Sequence, residues 1–131
     1  MSRRREGWEH QLAECIDAGQ QLPFCWGTHD CATFVANCLL AMSGSDFAAE
    51  FRGRYKTEKG AARAIRKKYG SLPAYLDTIF ERVSVTFARR GDIVFYQSAV
   101  GMCYGSTSFF AGLHGGLAAV PTLSCETAWR F

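Results

Sequence analysis

A chain of 131 residues has room for one domain and one sizeable core. Its 48% hydrophobic content and net charge of +3 exclude wholesale disorder and a polycation. No apolar run approaches the roughly 20 residues of a membrane span, and the basic start Met1-Ser2-Arg3-Arg4-Arg5 leads into Trp8-Glu9-His10-Gln11 where an export signal would be apolar. No signal peptide is therefore read, and a protein of this kind would leave its cell inside a larger particle or after lysis.

The first half reads as helical. Gly7 to Ala18 places Trp8, Leu12, Cys15 and Ile16 at helical spacing, and Gly19 is the expected stop. A turn-rich stretch follows to Asp30, with Pro23 and Gly27. Cys31 to Met42 is apolar on almost every side, the mark of a buried helix, and Thr28 and Asp30 both offer N-caps. Thr57 is the expected cap of a basic amphipathic helix that buries Ala61, Ala62, Ile65 and Tyr69; Ser71 with Pro73 opens a short helix through Phe80. In the second half, Val83, Val85 and Phe87 alternate as in a strand, and Ile93–Tyr96, Val100–Tyr104, Ser108–Ala111 and Leu117–Val120 are further strands separated by glycine turns. The predicted architecture is a single α+β domain over 1–131, N-terminal helices packed on a small C-terminal antiparallel sheet or barrel.

Six cysteines, Cys15, Cys25, Cys31, Cys38, Cys103 and Cys125, include no C-x-x-C pair, so neither a zinc ribbon nor a redox motif is indicated, and disulfides are not expected. They read as buried thiols, with Cys31 set apart; a metal or cluster site drawing on Cys25, Cys31, Cys38 or Cys103 is the minor alternative, and no cofactor is implied. Between Phe51 and Tyr69 the charges are Arg52, Arg54, Lys56, Lys59, Arg63, Arg66, Lys67 and Lys68 against Glu58 alone. This is a solvated helix face or a docking surface for something acidic, with Arg63, Arg66 and Lys67 as the binding candidates. No nucleic-acid motif or aromatic interleaving supports DNA as the partner.

The residues around Cys31 form the one chemically suggestive constellation. A cysteine in the first turn of a buried helix meets free N–H groups and the helix dipole, which favour the thiolate. A nucleophile of that kind also needs a base and a group to orient it. Three histidines are available: His10 on the outer face of the first helix, His29 two residues before Cys31, and His114 in the loop Gly112-Leu113-His114-Gly115-Gly116. Each also has a plain structural reading, as a surface or turn residue.

The run Asp30-Cys31-Ala32-Thr33-Phe34-Val35 resembles the Asp-Cys-Ser-Gly-Phe-Val signature of the NlpC/P60 (papain-like) cysteine peptidases, in which the cysteine opens a core helix packed on a small β-barrel. Arg90-Gly91-Asp92-Ile93-Val94-Phe95-Tyr96 is similar to that family's Pro-Gly-Asp-Leu-Val-Phe-Phe stretch, and Ala99-Val100-Gly101-Met102-Cys103-Tyr104-Gly105 to its His-Val-Gly-Ile-Tyr-hydrophobic-Gly strand. The catalytic histidine that opens the third block in the family is Ala99 here, and no histidine falls near Ser108 to Ala111, where the third polar residue would stand. The chain also resembles small proteins of tailed phages and prophages through Trp26-Gly27, Asp30-Cys31-Ala32, Gly91-Asp92-Ile93-Val94, Val100 to Gly105 and Ala128-Trp129-Arg130. That resemblance implies a structural component of a phage tail tip, made in the host cytoplasm and carried in the virion tail beside other tail-tip proteins. It would be a degenerate peptidase fold that docks through the basic stretch and through Phe109 and Phe110. The alternative is a cysteine-dependent peptidoglycan amidase or endopeptidase acting during phage entry, with Cys31 as nucleophile, Asp30 beside it and His114 or His29 as a displaced base. The missing base favours the structural version.

Overall fold

In a computed structural model that describes residues 3–131, the first helix, α1 (Trp8–Gln21), runs on past Gly19. Gly19 is buried where α1 crosses the second helix, α2 (Cys31–Ser43), and a Cβ at that position would lie 2.9 Å from the Phe34 ring. The glycine thus permits a close approach between two helices and terminates nothing. The actual stop is Leu22, held extended at φ −92° and ψ 139° by the proline that follows it. Helix α2 is capped at both ends, by Asp30 in front and by left-handed Gly44, whose N–H donates to the Leu40 carbonyl.

Helix α3 (Glu58–Tyr69) begins at Thr57, whose side chain accepts the Gly60 N–H. The expectation that it buries Ala61, Ala62, Ile65 and Tyr69 holds only in part: Ala61, Ile65 and Tyr69 are half-buried, the last two against the core, while Ala62 is exposed, because a cleft opens beneath the helix. Helix α4 (Leu72–Asp77) opens at Ser71, which caps the Ala74 N–H, and stops short of Phe80. The Thr78 hydroxyl donates back to the Tyr75 carbonyl at that end, and the Asp77 carboxylate takes the Trp129 indole and Arg82. No helix of the described residues is long and apolar enough to cross a membrane.

The strands are β1 (Glu81–Val83), β2 (Ile93–Tyr96), β3 (Ala99–Tyr104), β4 (Thr107–Ala111), β5 (Leu117–Pro121) and β6 (Thr127–Arg130). The alternating Val83-Val85-Phe87 is only partly a strand: Val85–Phe87 is a 3₁₀ turn started by Ser84, and Phe87 is left 71% exposed. The sheet is antiparallel throughout, in the order β1-β6-β2-β3-β4-β5. The fold is therefore α+β, helices first and sheet after. Strand β6 inserts between β1 and β2 although it is last in the chain. Both sheet faces are covered: Ile93, Val100, Met102 and Trp129 pack toward Leu12, Phe34 and Leu39, while Val94, Cys103, Phe110 and Ala128 form a smaller cluster on the far side. Phe110 is buried in that cluster and Phe109 is half-buried, so neither is the exposed docking aromatic the sequence suggested.

Asp92, in the turn before β2, is wholly buried and joins the two ends of the described chain. Its Oδ1 accepts from the Arg4 guanidinium at 3.2 Å and the Phe131 N–H at 3.0 Å. Its Oδ2 accepts from the Arg89 N–H at 2.9 Å and Arg130 Nε at 3.0 Å. Arg4 also covers the Trp8 ring, 4.3 Å from its centroid. The Gly-Asp motif residue is a structural hub.

Candidate functional site

The site begins with the cap of α2. Asp30 is buried, and its Oδ1 accepts the Thr33 N–H at 2.9 Å while the Thr33 hydroxyl accepts the Asp30 N–H at 2.7 Å. This is a capping box with threonine in the place usually held by glutamate. The other oxygen of Asp30 accepts the Gly27 N–H at 2.9 Å and the Tyr55 hydroxyl at 2.6 Å. Gly27 sits at φ +89°, and a Cβ there would overlap the Tyr55 carbonyl, so the turn and the tyrosine can meet only at a glycine. Tyr55 is buried, and its hydroxyl is pushed well up by burial and by its bond to the Asp30 carboxylate. Asp30 thus spends its acceptor capacity on the fold, and Tyr55 completes it from 25 residues away.

Cys31 is the first residue of α2 and lines the cleft. The helix N-terminus was expected to lower its pKa. Burial instead pushes the thiol up, and the Asp30 charge adds to that; the N–H groups of Val100, Ala32 and Cys31 itself pull the other way without prevailing. Hydration of the thiolate is lost on burial, and a few backbone N–H groups do not replace it.

None of the three histidines lines this cleft. His10 is exposed and pairs with Glu14 at 3.0 Å along α1. His114 is exposed in the loop between β4 and β5, which lies against the end of α1 through the bond from the Gly116 N–H to the Leu22 carbonyl. His29 is 6% exposed and turned to the Phe34 ring, with centroids 6.0 Å apart. Neither of its ring nitrogens is hydrogen-bonded among the described residues. Burial lowers its pKa against the opposing pull of Asp30 and the Gly19 carbonyl. Sequence proximity to Cys31 therefore does not become spatial partnership. An imidazole kept neutral in the fold and titrating near 6.5 when unfolded binds fewer protons in the native state, so stability is lost as the pH falls below about 6.5. The His29→Phe variant should lose less stability between pH 7 and pH 5 than the wild type, measured as the shift in urea midpoint; equal losses would count against this assignment.

The strand facing Cys31 has a particular register. Ser98 and Val100 line the cleft, whereas Ala99 packs with the cluster on the far side of the sheet. Ser98 and its neighbour Gln97 form the tight turn between β2 and β3 with φ of 66° and 47°, a left-handed pair that side chains seldom adopt. The position matched to a catalytic histidine is thus both an alanine and directed away from the thiol.

The cleft itself encloses about 330 Å³. Asp30, Cys31, Thr33, Tyr55, Glu58, Tyr75 and Ser98 are its polar lining residues, and most of its wall is apolar, including Leu39, Phe47 and Ile65. Of the basic stretch, Arg52 is tied to Asp46 at 2.9 Å and Lys68 to Glu50 at 2.6 Å. The predicted binding residues Arg63, Arg66 and Lys67 lie exposed on α3 and make no ion pair among the described residues. No three His, Cys, Asp or Glu side chains of the described residues converge to hold a metal ion. The six thiols are all free; Cys38, Cys103 and Cys125 are buried as expected, Cys15 and Cys31 are half-buried, and Cys25 is exposed because it lies in the open turn that pairs with His29.

Residues 3–131 match the model of a family described as a domain of unknown function (DUF6950), and the chain belongs to that family. No curated protein matches it.

Proposed function

We propose that this member of a family of unknown function is a non-catalytic structural component of a phage tail tip, built on a degenerate NlpC/P60-like fold. The observation that carries the reading is the state of Cys31. Its thiol is raised by burial and shares its cleft with no imidazole. A missing general base alone costs about 10²–10⁴-fold in rate, and Asp30 cannot serve because its oxygens are held by Gly27, Tyr55 and Thr33. The tail assignment draws on the resemblance of the Cys31, Gly91-Asp92 and Ala128-Trp129-Arg130 blocks to small tail proteins. The exposed basic face of α3 suits an acidic partner in such a particle.

The test is alkylation of the folded protein with iodoacetamide across pH, read peptide by peptide by mass spectrometry. Exposed Cys25 serves as the internal standard and Cys31→Ala as the control. Cys31 is expected to label more slowly than Cys25, with its inflection above the ordinary thiol value of about 8.5. Rapid labelling of Cys31 below pH 7 would overturn the non-catalytic reading. The tail assignment is tested separately: purified particles should contain the chain in fixed stoichiometry, unchanged by Cys31→Ala, and particles lacking it would sink that part.

One observation favours a second reading, a cysteine hydrolase acting on peptidoglycan. Cys31 lines an open cleft at a helix N-terminus beside the Val100 N–H, an arrangement that can hold an oxyanion. Amide hydrolysis abolished by Cys31→Ser would establish it.

A further inference from the structure

The cleft under α3 is larger and more apolar than packing defects explain. Protein interiors hold few voids bigger than a water molecule, yet about 330 Å³ lies between α2, α3 and α4 here. Helix α3 lines it with Ala61, Ala62 and Ile65, and the opposite wall includes Leu39, Phe47 and Leu76. The hydroxyl of Tyr55 is already given to Asp30. A polar ligand entering this space would lose its hydrogen bonds to water with little in return, whereas an aliphatic one would lose nothing and bury apolar surface.

The edge of the cleft carries the opposite chemistry. Glu58 and Ala62 belong both to the cleft and to the adjoining flank of α3, which displays Lys59, Arg63 and Arg66. None of these three makes an ion pair among the described residues, and Glu58 is the single acidic group on that edge. An apolar cavity bordered by unpaired cations is complementary to an amphiphile with an anionic head.

We propose that the cleft binds a single aliphatic chain with a carboxylate head, a ligand of the fatty-acid class. Its tail lies beneath α3 against Ala61 and Ile65, and its head meets Lys59, Arg63 and Arg66. At about 330 Å³ the cleft lies at the small end of ligand pockets, roughly 300–1,000 Å³, a size that suits one aliphatic chain rather than two. The site forms or breaks no covalent bond and does not depend on whether Cys31 reacts.

The experiment is a fluorescence titration of the full chain with cis-parinaric acid, followed by displacement with dodecanoate and with dodecanol. Saturable enhancement at one site per chain, displaced better by dodecanoate than by dodecanol, is expected. Ala61→Phe, which fills the cleft from α3, should weaken binding roughly tenfold or more without lowering the thermal midpoint. Arg63→Glu combined with Arg66→Glu changes only exposed side chains, and so remains informative should Ala61→Phe fail to fold. It should weaken dodecanoate about fivefold and leave dodecanol unchanged. The proposal is overturned by non-saturable enhancement, or by binding that ignores both variants. It also falls if the chain co-sediments with anionic phospholipid vesicles while showing no parinarate binding.

Discussion

Replacing Asp92 by alanine is expected to cost about 3–5 kcal/mol, the loss typical of breaking a buried charge pair from one side. The carboxylate is wholly buried and accepts from both Arg4 and Arg130, so its removal takes a buried charged acceptor from two guanidinium groups at once. The Arg89 and Phe131 N–H groups lose their acceptor as well. Domains of this kind have about 5–15 kcal/mol in total, so urea unfolding at 25 °C should show a midpoint lowered by a large fraction of its value. Asp92→Asn keeps the shape and some acceptor capacity but not the charge, and should fall between the two. A midpoint within experimental error of wild type for Asp92→Ala would show that the hub does not hold the chain ends in solution.

Asp30→Ala is expected to be the second most damaging change, at about 3 kcal/mol. Loss of a helix cap costs about 1 kcal/mol. Two further groups are orphaned, the Gly27 N–H and the buried Tyr55 hydroxyl, at about 1–3 kcal/mol apiece before relaxation. The capping and bridging roles separate in Asp30→Ser, which can restore the bond to the Thr33 N–H but reaches only one partner at a time. Removing the Asp30 charge also removes one of the influences that raise the Cys31 thiol. The Cys31 inflection in Asp30→Ser should therefore move down. Equal midpoints for Asp30→Ala and Asp30→Ser would mean that the network beyond the cap contributes nothing.

Much of the helical half is legible in the sequence because its signals are local. Thr57 and Ser71 are caps a few residues from what they cap, and the all-round apolar run after Asp30 can only be a buried helix. Gly19 was legible as a special residue but not in its role, since its reason is the Phe34 ring of another helix. Strand β6 carries only four residues and no alternating apolar pattern; its place beside β2 follows from pairing Ile93 with Trp129, far apart in the chain. At the site, Cys31 and its cap are local and were visible. Tyr55 was not, because no local pattern distinguishes a loop tyrosine that will reach a carboxylate on another segment. The pKa direction of Cys31 was likewise hidden: a helix N-terminus is written in sequence, whereas the burial that outweighs it appears only once the chain has folded around the thiol. The cleft itself could not be anticipated, for the amphipathic pattern of α3 marks the face it turns inward without stating how closely the core approaches it.

The insertion of β6 into the middle of the sheet also sets a timetable for synthesis. A ribosome delivers α2, with its apolar surface on every side, well before any strand that covers it, and delivers β6 after all the others. Edge strand β1 has β6 as its neighbour and must wait for it, and the Phe131 N–H reaches Asp92 only after Phe131 has cleared the tunnel. A nascent chain halted after β5 can pair β2 through β5 but leaves β1 without its neighbour. Until β6 has emerged and paired, the apolar surface of α2 meets an incomplete sheet, the kind of exposed surface that makes partly folded chains prone to aggregate.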